Sequence, residues 1–437
     1  MAEDTLTTIQ YGLLRQENRL VDLTTKFFKD PLAGLLRDGN KITTLKQGGR
    51  TLTRYFNDTL FPAGGFGVVG QGGDYPTAQP ESQTQASIAM QLFAMTVGFE
   101  EHALTAMEVG GRDIVMQGVK SKLKASVEHT QRRIGRLVLG RGDGIVGRAS
   151  AAGSSSTSFT SSIPLLCVPG DIVYANPGAG AGDERDLGGS DSISGIQVTD
   201  VNYMTNTLTL ASAQTWADDD VLYLTGAANN EAGAGVYLHG IEAMCDNVSD
   251  NFQYDADDDS TYDHVDTYLG LTRSSVTQAN VTEYNASSTS PTISMFGAIY
   301  NSIAYKGADP NNLFVLIHPT TYQAYSDTLI GTAPRSVMTK LPGGSYSLPI
   351  IDGIGQGQIR CIVDPGIPTD KIIMLDASKY YKLTAPGGWN KRSGNLWKQE
   401  MGTNAPNSTY TALFDIWLQV ALNLPFTSCV AYDVTTT

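Results

Sequence analysis

From Phe61 to Ser82 the chain reads FPAGGFGVVGQGGDYPTAQPES, a run whose glycines and prolines forbid a regular helix and whose few apolar side chains cannot make a core. A structureless loop of that length is uncommon within a compact domain unless something outside the domain supports it. A short β-like piece, Arg50 to Phe56, leads into it, so residues 44–85 read as one long projecting hairpin. A chain with such a segment completes its packing on neighbours. Gly64, Gly65, Phe66 and Gly67 at the tip are the expected points of inter-subunit contact.

The segments on either side are more regular. Tyr11, Leu14, Leu20, Leu23, Phe27 and Phe28, then Leu32, Leu35 and Leu36, recur at helical spacings broken near Pro31, giving an arm of short helices over residues 1–43. From Ala86 to Phe99 apolar residues alternate, with one change of phase of the kind a β-bulge makes, and predict a long strand. Val115, Val119, Leu123, Val127, Ile134 and Leu137 then recur every three or four residues, predicting a helix from about Gly111 to Leu139, on the order of 40 Å long at 1.5 Å per residue. Its polar face carries Lys120, Lys122, Lys124, Arg132, Arg133 and Arg136. Such a run is a solvated face, one that meets carboxylates on a neighbour, or, less favoured in so acidic a chain, one that meets phosphate. Lys120, Lys124, Arg132 and Arg133 are the residues expected at an inter-subunit contact.

GRGDGIVGRASAAGSSSTS, residues 140–158, reads as a Gly/Ser linker or exposed loop. GDIVYA (170–175), SGIQVTDVN (194–202), NTLTLAS (206–212) and DDVLYLTG (219–226) follow as short, turn-punctuated strands, the signal of a small β-barrel or sandwich inserted at 142–234. The remainder is α+β. It has a helix near Thr292 to Lys306, a buried strand LFVLI at 313–317 and a helix after Pro319. Further strands are expected near 358–363, 371–375 and 411–423.

Composition narrows the function. Charged residues are 17% of the chain, against about 25% in an ordinary domain, and the net charge is −14. A dedicated nucleic-acid binder needs clustered Lys and Arg to displace counterions, so the acidic balance argues against that class. Cys167, Cys245, Cys361 and Cys429 lie far apart, without the short spacings of a zinc site, and read as reduced structural thiols. The opening MAEDTLTTIQYGLLRQENRL has no basic start and apolar core of a signal peptide, and no run reaches about 18 apolar residues. The expectation is a soluble protein made in a cytoplasm, without membrane partners.

This order of parts resembles the major capsid proteins of tailed bacteriophages, the Hong Kong-97-like fold shared with encapsulin shells. The likeness is sharpened by YLGLTRSS (268–275), by ISMFGAIYNSIAYKGADPNNLFVLIHPTTYQAY (293–325) and by IRCIVDPGIPTDKIIMLDASKYYKL (359–383). The resemblance implies an N-terminal arm at 1–43, an extended loop at 44–85 and a P-domain strand with spine helix at 86–141. It further implies an A-domain at 235–383 and C-terminal strands at 384–437 that rejoin the P-domain, with the β insertion at 142–234 as a departure. No charged coiled-coil prodomain precedes the arm, a second departure. The implied function is self-assembly into hexamers and pentamers of an icosahedral shell around double-stranded DNA. The virion capsid would form in the host bacterial cytoplasm, with portal, scaffold and decoration proteins as partners, no catalysis and no cofactor. An encapsulin-like cargo shell is the nearest rival, and a secreted β-rich adhesin or binding module, suggested by the Ser/Thr/Gly-rich region 150–230, the rival from another class.

Sharper motifs weigh less. Gly65 to Gly70 spells GxGxxG, but Gly and Pro follow where the dinucleotide fingerprint needs a helix. Asp255, Asp257, Asp259, Thr261, Asp263 and Asp266 fall at positions 1, 3, 5, 7, 9 and 12 of a calcium loop. Ser260 stands where that loop turns on Gly, and Asp266 is shorter than the usual bidentate Glu. Calcium is therefore the one cofactor reading open, beside a solvated acidic loop. Arg141-Gly142-Asp143 is an adhesion tripeptide that chance explains in so Gly-rich a chain. His102, His129, His239, His264 and His318 belong to no HExxH or GxSxG pattern, so no catalytic residue is nominated.

Overall fold

The computed structural model describes residues 43–46, 51–57, 73, 83–100, 121, 125–126, 129–130, 132–140, 142, 144–176, 195–218, 220–224, 238–247, 267–332, 346–349, 358–384, 390–391, 397–401 and 408–436. The tip residues Gly64 to Gly67, Lys120, Lys124 and the acidic loop from Asp255 to Asp266 lie outside these, as does the arm up to residue 42.

The two arms of the expected hairpin pair with each other. Thr51–Asn57 runs antiparallel to Gln83–Ala89 in seven consecutive pairs. The single strand expected over 86–99 is instead two, Gln83–Ala89 and Gln91–Glu100, separated at Met90. The second has a different partner, the 15-residue strand Ser408–Leu422, along ten antiparallel pairs from Leu418↔Gln91 to Thr409↔Glu100. The phase change in the apolar pattern thus accompanies a hand-over between sheets. Ser408–Leu422 also pairs with Tyr380–Thr384, which takes Thr43–Lys46 as a parallel neighbour. Every described residue of the expected long helix before Val138 is helical: 121, 125, 126, 129, 130 and 132–137.

Residues 145–224 form a six-stranded antiparallel sheet in the order Ile145–Arg148, Val221–Leu224, Ile172–Asn176, Ile196–Asn202, Thr207–Trp216, Gly153–Thr160. The first and last strands meet through the bridge Ala149↔Ser161. Ser150 N donates to Thr160 O at 3.0 Å and Ser162 N to Arg148 O at 2.8 Å, so the sheet closes into a barrel. Its interior holds Val146, Phe159, Val173, Val198, Leu208, Leu210, Trp216, Leu222 and Leu224. Ile145, Val221 and Tyr223 form a separate small cluster with Ile163, as alternation along a strand requires.

Two barrel strands fall within the stretch expected to be a linker, and the correction has a packing cause. A Cβ on Gly147 would lie 2.9 Å from Leu165 Cδ2, and one on Gly153 would lie 2.3 Å from two carbons of the Trp216 ring. These glycines admit neighbours at close range. Pairing and burial override the weak strand propensity of Gly and Ser there.

The third sheet has the order Thr282–Thr289, Cys429–Val434, Ile372–Asp376, Leu313–Ile317, Gln358–Val363, Tyr346–Pro349. Leu313–Ile317 is buried at every position because the sheet is covered on both faces. Leu313, Val315 and Ile317 pack with Met295, Phe296, Ile299 and Ile303 of the helix Ile293–Ala304. Phe314 and Leu316 face a larger core that also contains Ile134, Leu137, Leu238 and the barrel interior. That helix begins at Thr292, whose Oγ1 accepts from Met295 N at 3.2 Å.

Candidate functional site

Two centres of buried charge tie the sheets together. The first lies along the C-terminal end of the long helix, where His129, Arg133 and Arg136 are spaced i, i+4, i+7 and share one face. His129 Nε2 donates to Pro169 O at 3.0 Å. Arg133 Nε stands 3.4 Å from Oδ1 of Asp171, a buried carboxylate whose Oδ2 accepts from Val168 N at 2.9 Å. Arg136 Nη1 donates to Asp364 Oδ1 at 2.6 Å, and the same oxygen accepts from Gly366 N at 2.7 Å. The Arg136 guanidinium carbon also sits 4.2 Å from the centre of the Tyr203 ring, while Tyr203 Oη donates to Cys167 O at 2.8 Å. Burial, opposed by the Arg136 charge, pushes the Tyr203 hydroxyl up to about 12, which keeps it a neutral donor.

The packing around this centre is tight. A Cβ on Gly366 would lie 2.4 Å from Leu139 Cδ1, and one on Gly240 would lie 2.2 Å from Gly140 O. The helix end is thus pressed between the barrel, the segment around Gly240 and the turn after Gln358–Val363. Arg133, expected to reach a neighbouring subunit, is placed against a carboxylate of its own chain, and Arg132 is exposed beside it.

The second centre explains YLGLTRSS. Arg273 is 1% exposed, and its Nη1 donates to Asp246 O at 2.7 Å and to Ala279 O, its Nη2 to Ala243 O at 2.6 Å. The guanidinium lies 5.0 Å from the Tyr268 ring centre, with Nε 3.8 Å from Asp246 Oδ2. Burial lowers the Arg273 pKa, and Asp246 opposes that shift. Tyr268 Oη donates to Leu422 O at 2.9 Å and accepts from Leu422 N at 2.7 Å, joining the motif to the end of Ser408–Leu422. Leu269 (φ 55°) and Gly270 (φ 79°) make the left-handed turn that brings Tyr268 and Arg273 together. The sequence singled out this motif without revealing its central arginine as a buried ligand of three carbonyls. The available signal was an isolated Arg five residues after a Tyr in an otherwise uncharged stretch.

Among the described residues the four cysteines and His318 are buried. Burial pushes the thiols of Cys167, Cys361 and Cys429 up to about 12 and that of Cys245 higher still. None is a thiolate nucleophile at neutral pH. His318 is buried at the head of the helix Pro319–Thr332, where its Nδ1 accepts from Thr320 N at 3.1 Å; burial lowers its pKa, with Asp364 opposing. Among the described residues no group of three His, Cys, Asp or Glu side chains is placed to hold a metal ion, and the acidic loop is not among them.

Sequence comparison finds no matching family and no matching curated protein. Solved structures that match include phage capsids and an encapsulin. The cyanophage A-1(L) capsid asymmetric unit is 11% identical, with 93% of this chain and 93% of that chain covered and a TM-score of 0.49. The holo-SrpI encapsulin complex from Synechococcus elongatus PCC 7942 is 10% identical, with 90% and 85% covered and a TM-score of 0.41. Mycobacterium phage Patience is 8% identical, with 97% and 88% covered and a TM-score of 0.37. At these identities and TM-scores no residue role is carried over to this chain.

Proposed function

We propose that the chain is the shell-building major capsid protein of a tailed bacteriophage, assembling as hexamers and pentamers around double-stranded DNA. The observation that carries this reading is the return of Ser408–Leu422 to Gln91–Glu100 along ten pairs. It supports the reading because it brings a C-terminal strand beside the strand that precedes the helix, as expected of C-terminal strands that rejoin the P-domain. The hairpin at 44–85 then lies over an adjacent subunit, with Gly64 to Gly67 at its tip, because a stable contact of about 800 Å² per partner offsets what the segment cannot bury in its own chain. In this reading the helix ending near Leu137 is the spine and the barrel of 145–224 is the insertion. The sheet led by Leu313–Ile317 belongs to the A-domain, and portal, scaffold and decoration proteins are further partners. Calcium in the Asp255 to Asp266 loop belongs to the same proposal, tested by whether the ion raises the particle melting temperature.

Electron microscopy of the purified protein tests the central claim. The expected result is closed icosahedral particles, and a monomer at every salt and protein concentration would overturn it. Nuclease digestion and protein analysis of particles from infected cells separate enclosed DNA from a protein cargo.

A further inference from the structure

We propose that His129, Arg133 and Arg136 form a latch that sets the orientation of the barrel on the rest of the subunit, with Arg136 as its positioning residue. The three side chains lie on one helix face, and each reaches the barrel at a different place: the Pro169 carbonyl, the Asp171 carboxylate and the Tyr203 ring. These points belong to only two barrel segments, the turn ahead of Ile172–Asn176 and the turn after Ile196–Asn202, linked to each other by the bond from Tyr203 Oη to Cys167 O. The barrel strands pair only with one another among the described residues, so no sheet hydrogen bonding fixes how the barrel sits.

The two sides of Arg136 differ in kind. On the core side its Nη1 is held at 2.6 Å by Asp364, whose Oδ1 is itself fixed by Gly366 N, and a Cβ at Gly366 would stand 2.9 Å from that same Nη1. This contact is directional and has no slack. On the barrel side the guanidinium meets the face of a ring, an attraction that requires only that the cation stay over that face within about 6 Å of its centre. The core thus fixes the arginine, and the arginine sets a preferred barrel position while allowing small rotations about it. Arg133 and His129, about one and two helical turns further from the Asp364 contact, limit the swing.

This inference concerns the subunit itself and is tested without assembly, so its failure and the failure of the capsid reading are distinguishable. The measurement is hydrogen exchange on the full-length soluble chain, read separately in the barrel strands and in Leu313–Ile317 and Ile372–Asp376. Tyr203→Leu removes the ring face. It is expected to raise exchange in the Cys167 to Asp171 turn and the neighbouring strand Ile172–Asn176 by about tenfold while leaving the third sheet unchanged. Arg136→Lys keeps the charge toward Asp364 but loses the planar stack, and should show the same localised effect. Tyr203→Phe keeps the ring and should retain most of the protection. The double variant Arg136→Lys, Tyr203→Leu should exchange no faster than either single one. Equal loss of protection in both sheets, no change in either, additive effects in the double variant, or a Phe variant as damaged as the Leu variant would each overturn the latch.

Discussion

At Arg273 one side chain satisfies three carbonyls from two separate segments, with Asp246 alongside and Tyr268 against its face. Arg273→Ala leaves those acceptors and a buried carboxylate without their donor, and is expected to cost about 3–5 kcal/mol, visible as a lower denaturant midpoint. Arg273→Lys keeps the charge but cannot span the carbonyls with one nitrogen, so it should recover only part of that loss. His318 gives a pH signature. Burial holds its folded pKa below the ordinary 6.5, so between those two values the unfolded chain binds the extra proton. Its contribution to stability is therefore complete above about pH 6.5 and is lost as pH falls toward the folded value. His318→Asn can still cap Thr320 N and does not titrate. Melting temperatures from pH 7.5 to 5 should fall less steeply in this variant than in the parent, and parallel curves would refute the assignment.

Among the elements, the strands that alternate Val, Ile and Leu with polar residues were legible because half-buried strands impose a period of two. Val173, Val198, Leu208 and Leu222 lie inside the barrel as that pattern requires. Ile145–Arg148 and Gly153–Thr160 were not legible, since GRGDGIVGRASAAGSSSTS has the composition of a linker and its meaning depends on Leu165 and Trp216 arriving from elsewhere. Gly153→Ala separates the two meanings. A linker accepts alanine freely, whereas a Cβ against the Trp216 ring should destabilise the barrel by about 1–3 kcal/mol, read from loss of Trp fluorescence change at lower denaturant. The basic helix face was legible as a charged stripe. That Arg133 and Arg136 meet Asp171 and Asp364 of the same chain was not, because 38 and 228 residues separate the partners and periodicity carries no information about such distant contacts.

At the scale of the whole molecule, one apolar cluster runs from the barrel interior past Leu137 and Leu238 to Phe314 and Leu316, so the barrel and the third sheet share a core. The hairpin beyond its paired arms is the part the capsid reading assigns to neighbours. Deleting Gly64 to Gly73 is expected to leave the melting transition of the subunit within a few degrees of the parent, by roughly the effect of an exposed loop change, and to prevent particles from forming. Collapse of the transition would mean that the tip packs at home. The hand-over at Met90 bears on mechanics. The strand that runs with Thr51–Asn57 continues after one residue into a strand paired ten times over with Ser408–Leu422. A pull on the hairpin along its length therefore loads that second pairing in shear, across many hydrogen bonds at once, rather than peeling them one by one. The same backbone that reaches outward is a tether whose anchor lies beside the C-terminal strand.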